Sequence, residues 1–121
     1  MEDFKIVIAG SRTFDDYDLL VKICDYYLQN VKDTMNIIVV SGKAKGADEL
    51  GEKYAKERGY KVESRPANWD KYGKSAGYIR NEEMAKISNA LIAFWDGNSR
   101  GTNHMINLAK KYKLKVVVKI F

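Results

Sequence analysis

Short apolar runs alternate with amphipathic helical segments along the whole chain, and this alternation constrains the fold more than any single motif. The runs Phe4 to Ala9, Asn36 to Val40, Tyr60 to Ser64, Ala90 to Trp95 and Leu114 to Ile120 are rich in Val, Ile and aromatics and of strand length. Between them lie segments predicted helical at about Asp15 to Val31, Ala47 to Arg58, Ala76 to Ser88 and Thr102 to Tyr112. Leu20, Ile23, Cys24, Tyr27, Leu28 and Val31 recur at the spacing of one helix face, as do Met105, Leu108, Ala109 and Tyr112. Strict alternation means parallel strands joined by crossovers. The expected fold is therefore an α/β three-layer Rossmann-like sandwich around a five-stranded parallel sheet.

No linker, repeat or low-complexity segment interrupts the pattern, so residues 1–121 read as a single domain, large enough to form a core without metal or disulfide. A 45% hydrophobic and 31% charged composition excludes a disordered chain. No stretch approaches the roughly 18 apolar residues of a membrane span, and Met1-Glu-Asp-Phe leads straight into a strand. The expected location is the cytoplasm, with no membrane partner. Cys24, the single cysteine, sits on the apolar helix face and reads as a buried core thiol. His104 has no cysteine or histidine partner, so neither a metal nor another cofactor is expected, and a surface or capping role is assigned to it.

In open parallel sheets ligands bind beyond the carboxyl ends of the strands. Four loops meet that edge: 10–14, 41–48, 65–77 and 96–102. They hold seven of the nine glycines and the only proline, whereas the opposite loops are plain. The first, Gly10-Ser11-Arg12, combines a glycine that permits close approach, a hydroxyl and a guanidinium suited to phosphate. Arg12 could alternatively pair with Asp15 or Asp16. In the second, Ser41-Gly42-Lys43-Ala44-Lys45-Gly46-Ala47-Asp48, the glycines and lysines suggest a phosphate cradle, but Asp48 stands where a Walker A loop needs a hydroxyl for magnesium. Gly46 frees the backbone before a helix start, and Lys43 and Lys45 are placed at the rim. Asp48 either complements the helix dipole or holds a ligand hydroxyl.

The third loop offers Trp69 and Tyr72 as stacking surfaces and leads into a helix carrying Arg80 and Asn81 about one turn from its start. The alternative for Arg80 is a surface salt bridge with Glu83. The fourth, Asp96-Gly97-Asn98-Ser99-Arg100-Gly101-Thr102, sets hydroxyls beside a helix start, where an anion is favoured; a turn merely capped by Thr102 is the alternative. There is no Gly-x-Gly-x-x-Gly fingerprint, and Ser41 replaces a ribose-binding acid, so ordinary NAD binding is disfavoured.

Gly-Ser-Arg-x-Phe (10–14), Ser-Gly-x-Ala-x-Gly-Ala-Asp (41–48), Pro-Ala-x-Trp (66–69), Gly-x-x-Ala-Gly-x-x-Arg-Asn-x-x-Met (73–84) and Asp-Gly-x-Ser-x-Gly-Thr (96–102) together resemble the YspA/YpsA-related branch of the SLOG superfamily, which unites Smf/DprA proteins with the LOG cytokinin-activating enzymes. The resemblance implies a Rossmann-like fold and a site for a nucleotide or nucleotide-derived ligand. It adds self-association, hence a homodimer, as a further implication. LOG enzymes are phosphoribohydrolases with a motif Pro-Gly-Gly-x-Gly-Thr-x-x-Glu; here Gly101-Thr102 is kept and Met105 occupies the glutamate position.

The main expectation is thus a sensor or sequestering protein. Gly101, Thr102 and the Gly42 to Gly46 loop take phosphate, Arg12 and Arg80 neutralise it, Trp69 or Tyr72 contacts the base, and Asp48 or Asp96 takes ribose hydroxyls. N-glycosidic hydrolysis is the alternative, with Asp48, Asp96, Glu82 or Glu83 as the carboxylates that could replace the missing glutamate. Single-stranded nucleic-acid binding, encouraged by a net charge of +5, ranks below both because the basic residues are scattered.

Overall fold

The computed structural model describes residues 1–121. In chain order the elements are β1 (Asp3–Gly10), α1 (Tyr17–Leu28), β2 (Asn36–Ser41), α2 (Ala47–Arg58), β3 (Lys61–Ser64), α3 (Trp69–Tyr72), a 3-10 turn (Gly73–Ser75), α4 (Ala76–Ile87), β4 (Ala90–Trp95), α5 (Arg100–Lys111) and β5 (Lys115–Ile120). All five strands pair in parallel in the order β3-β2-β1-β4-β5. Helices cover both faces, as the alternating pattern predicts.

Side-chain alternation along β1 divides the interior in two. Phe4, Ile6 and Ile8 join Leu20, Cys24 and Leu28 of α1 and Tyr54 of α2 on one face. Val7 and Ala9 join Met84 of α4 and Met105, Ile106 and Leu108 of α5 on the other. Central strands buried on both sides lose the polar alternation of a half-exposed strand, which explains why β4, Ala-Leu-Ile-Ala-Phe-Trp, is apolar throughout. Helix α2 contributes small residues to its core, and a Cβ on Gly51 would lie 2.9 Å from Ile8. Close approach takes the place of large side chains there. Tyr54 then anchors the helix pair: its hydroxyl donates to Asp25 of α1 at 2.7 Å, and Arg58 holds the same carboxylate through Nε and Nη2 at 3.0 and 2.7 Å.

Helix boundaries follow capping chemistry more closely than hydrophobic period. Helix α1 starts after Asp16, whose carboxylate accepts from Leu19 N–H at 3.1 Å, two residues later than the apolar pattern predicts. Helix α5 starts two residues earlier than predicted because Ser99, rather than Thr102, is the cap. The connection predicted as an open loop over 65–77 contains α3, capped by Asn68. No helix is long and apolar enough to cross a membrane.

Candidate nucleotide-binding groove

The strand order reverses between β1 and β4, which both neighbour the chain's first strand-to-helix turn, and two cavities open at that end of the sheet. One, about 360 Å³, is lined by Gly10 at the end of β1, Ser11 and Arg12 after it, Asp48 on α2, Arg80 and Asn81 on α4, and Asp96, Ser99, Gly101 and Thr102 around the start of α5. Met84 and Met105 contribute apolar surface. The second, about 470 Å³, lies between Gly42-Lys43-Ala44-Lys45 and Pro66-Ala67 with Trp69. Arg12, Ala44 and Arg80 line both cavities, so the two form adjoining lobes with a cationic waist.

The arginines differ in how they are held. Arg12 is exposed and makes neither ion pair nor hydrogen bond, so the alternative pairing with Asp15 or Asp16 does not occur. Arg80 is half-buried; its Nη1 donates to the Gly42 carbonyl and its Nε to Asn81 Oδ1 at 3.0 Å, leaving Glu83 unpaired with it. Burial lowers the Arg80 pKa, the neighbouring charge of Arg12 lowers it further, and Asp48 opposes both. Two cations side by side in a groove favour a bound anion.

Asp48 is 5% exposed, and desolvation pushes its pKa up from 3.8 to about 6 against the pull of the Ala44 and Gly42 N–H groups and Arg80. Ala44 N–H donates to its Oδ2 at 3.3 Å. A buried acid that titrates near neutrality beside an arginine can accept from a ligand hydroxyl or exchange a proton. Asp96 has the opposite character. Its Oδ1 accepts from Ser99 and Asn98 N–H, both at 2.8 Å, which hold its pKa low. That carboxylate shapes the turn leading to α5, while Ser11 Oγ accepts from the Asp96 N–H at 3.1 Å and ties the first and fourth loops together.

Several glycines serve the protein's own packing at the site. A Cβ on Gly42 would lie 2.6 Å from Arg80 Nη1 and 2.9 Å from Asp48 Oδ2, so the glycine makes room for these side chains. A Cβ on Gly10 would meet the Phe94 carbonyl oxygen at 2.2 Å and Ala47 at 2.9 Å. Gly46 has φ 78° and abuts the carbonyls of Ser11 and Arg12, so its freedom is used to turn the chain into α2.

Three sequence expectations are redirected. Ser41 lines neither lobe; its hydroxyl donates to Glu52 at 2.6 Å, because burial at the strand end requires a partner. Lys43 is not a free rim cation, since it bonds Glu52 at 2.8 Å, although Lys45 stays exposed. Glu83 is exposed on α4 and lines neither lobe but an adjoining hollow of about 220 Å³ that Tyr72 and Arg80 also line, and Glu82 is engaged by the Tyr112 hydroxyl at 3.3 Å. That leaves Asp48 and Asp96 as the carboxylates of the groove. Trp69, 56% exposed, lines the second lobe with its ring edge over Gly77. Met84, four residues after Arg80 on the same helix face, adds apolar lining that no polar motif signals. No group of three or more His, Cys, Asp or Glu side chains is arranged to hold a metal.

Comparison with known proteins matches residues 4–72 to the family described as YAcAr: YspA, cpYpsA-related SLOG family. The Gene 61 protein of Mycobacterium phage D29 is 31% identical over 119 residues, covering 93% of this chain and 94% of that protein. Among solved structures, DNA processing protein A (DprA) from Streptococcus pneumoniae aligns with a TM-score of 0.71 at 18% identity, over 97% of this chain and 50% of that one. TM1055 aligns with a TM-score of 0.64 at 16% identity, over 96% and 72% respectively. The chain thus spans half of the DprA chain, and at these identities the likeness is one of fold.

Proposed function

This chain belongs to the YspA/cpYpsA-related SLOG family, and on that premise we propose that it binds a nucleotide or nucleotide-derived ligand in the two-lobed groove, as a sensor or sequestering protein. The observation that carries the reading is the waist: Arg12 unpaired and Arg80 only partly satisfied, close enough for their charges to interact, with the buried carboxylate of Asp48 beside Arg80. Such a pair gains from a phosphate that accepts from both guanidinium groups. Trp69 supplies an exposed aromatic face in one lobe for a base. Asp48, Asn81 and Thr102 supply acceptors and donors for sugar hydroxyls in the other.

The test is a melting-temperature screen with nucleoside monophosphates, cyclic nucleotides, ADP-ribose and NAD, repeated on Arg12→Ala. Arg12 is the better variant because Arg80 also supports the Gly42 loop. A ligand at about 100 times its Kd adds roughly 2.7 kcal/mol, worth about 10 °C for a domain of this size. A shift abolished in Arg12→Ala, with the unliganded melting temperature unchanged, supports the site. Absence of any shift, with steeply salt-dependent oligonucleotide binding instead, would replace a small-molecule ligand by single-stranded nucleic acid.

A second reading, N-glycosidic cleavage, rests on Asp48 alone: it is the groove carboxylate poised to exchange a proton near neutral pH. It requires release of free base from the ligand that the screen identifies, abolished in Asp48→Asn. Intact ligand after long incubation with the wild type removes it.

A further inference from the structure

We propose that His104 is a positioning residue of the anion site, its Nδ1 accepting from the Asn81 amide and so aiming the Arg80 guanidinium at the groove. The functional consequence rests on the reading above; the hydrogen-bond chain does not. Asn81, 6% exposed, lies at the centre of that chain. Its Oδ1 accepts from Arg80 Nε at 3.0 Å, while its Nδ2 donates to the Gly101 carbonyl at 3.3 Å and approaches His104 Nδ1 at 3.3 Å. Only one orientation of the amide fits: turned over, its oxygen would oppose the Gly101 carbonyl and its NH2 the Arg80 N–H. His104 Nδ1 must therefore act as the acceptor, with the ring proton on Nε2.

The ring itself has little freedom. It packs edge-on against Tyr78 of α4, with centroids 4.5 Å apart and planes at 75°. The groups that bear on its charge are Glu82 on α4, which favours protonation, and its own burial, which disfavours it more. Tyr78 and Asn81 on α4 present no charge, and Arg100 stands four residues earlier on α5. If His104 gains a proton at Nδ1, two N–H donors face each other. Asn81 must then rotate, and both Arg80 Nε and the Gly101 carbonyl lose a partner within a part-buried network. Arg80 is left with Gly42 alone.

The coupling has a sign that simple electrostatics does not share. Protonating Asp48 or His104 makes the groove more positive, which by charge alone tightens anion binding in acid. Loss of Arg80's orientation through His104 weakens it. By linkage, an anion that binds through Arg80 must also lower the His104 pKa by the same factor by which acid weakens binding.

His104 is the only histidine, so its ring nitrogens are unambiguous in 15N NMR. The free protein at pH 8 should show the neutral tautomer protonated at Nε2, and the Asn81 side-chain amide signals should shift with the titration of His104. A proton on Nδ1, or Asn81 signals indifferent to that titration, overturns the proposal without touching the ligand reading. Sulfate, whose charge is constant from pH 5 to 8, is the binding probe. Relative to His104→Gln, which keeps an acceptor and removes the titration, the wild type should lose sulfate affinity as pH falls from 8 to 5, in step with the protonation of His104 that the NMR titration follows. His104→Phe, which keeps the aromatic packing but leaves the Asn81 amide short of an acceptor, should bind sulfate more weakly at pH 8 while still unfolding in one cooperative transition, its melt lowered by several degrees. Parallel wild-type and Gln profiles refute the positioning role. If sulfate binds neither protein at any pH, the anion reading fails, and the NMR result alone decides the hydrogen-bond chain.

Discussion

Replacing Asp48 by Asn should stabilise the protein at alkaline pH and leave it nearly unchanged in acid. Burial raises the Asp48 pKa from 3.8 to about 6, so the folded protein holds a proton on this group more tightly than the unfolded chain does. The sign is therefore opposite to that of a salt-bridged carboxylate. Folding takes up a proton between these two values, stability falls as pH rises from about 4 to about 6, and above that the penalty is constant. At 1.36 kcal/mol per tenfold change in proton affinity the penalty amounts to about 3 kcal/mol as an upper figure. Asparagine resembles the protonated acid in shape and can still accept from the Ala44 N–H, while the loss of attraction to Arg80 is already counted in the net direction. With an unfolding entropy of roughly 0.25 kcal/mol/K for this length, the variant should melt up to about 12 °C higher at pH 8. Thermal melts of both proteins at half-unit intervals from pH 3.5 to 8 measure the difference directly, and subtraction removes every other titrating group. A gain that is absent at pH 8, or equal at pH 3.5 and pH 8, would refute the reasoning.

Gly10→Ala should cost about 3 kcal/mol and lower the melting temperature by roughly 12 °C, because the new Cβ would meet the Phe94 carbonyl at 2.2 Å where β1 pairs with β4, so backbone must shift; a wild-type melt would contradict this. Trp69→Ala should weaken a nucleotide by about 1–3 kcal/mol while leaving sulfate binding and the melting temperature unchanged, which calorimetric titration of both ligands will show. The Cys24 thiol, fully buried and pushed up to about 12 by desolvation, should resist alkylation at pH 8 until urea unfolds the chain; labelling of the native protein at the unfolded rate would contradict its place in the core.

What the sequence determined alone is what local pattern encodes. Strand and helix periods, with glycine-bearing turns after each strand, specify the parallel sheet and collect the four loops at one edge, so Arg12, Asp48, Trp69, Arg80, Asn81, Asp96 and Thr102 were all legible as groove residues. Tertiary structure decided which partner each polar group meets, since that depends on residues distant in the chain. Ser41 turns to Glu52 eleven residues on, Gly42 yields space to Arg80 of α4, and Glu83 lines an adjoining hollow instead of either lobe. Asp48 and Asp96 look alike in the sequence, yet burial raises one pKa and two backbone N–H groups lower the other. His104, unremarkable as a lone histidine, acquires its significance only where α4 brings Asn81 and Tyr78 against α5. Period and turn chemistry are carried by neighbours along the chain, whereas desolvation and hydrogen-bond pairing exist only once distant segments have packed.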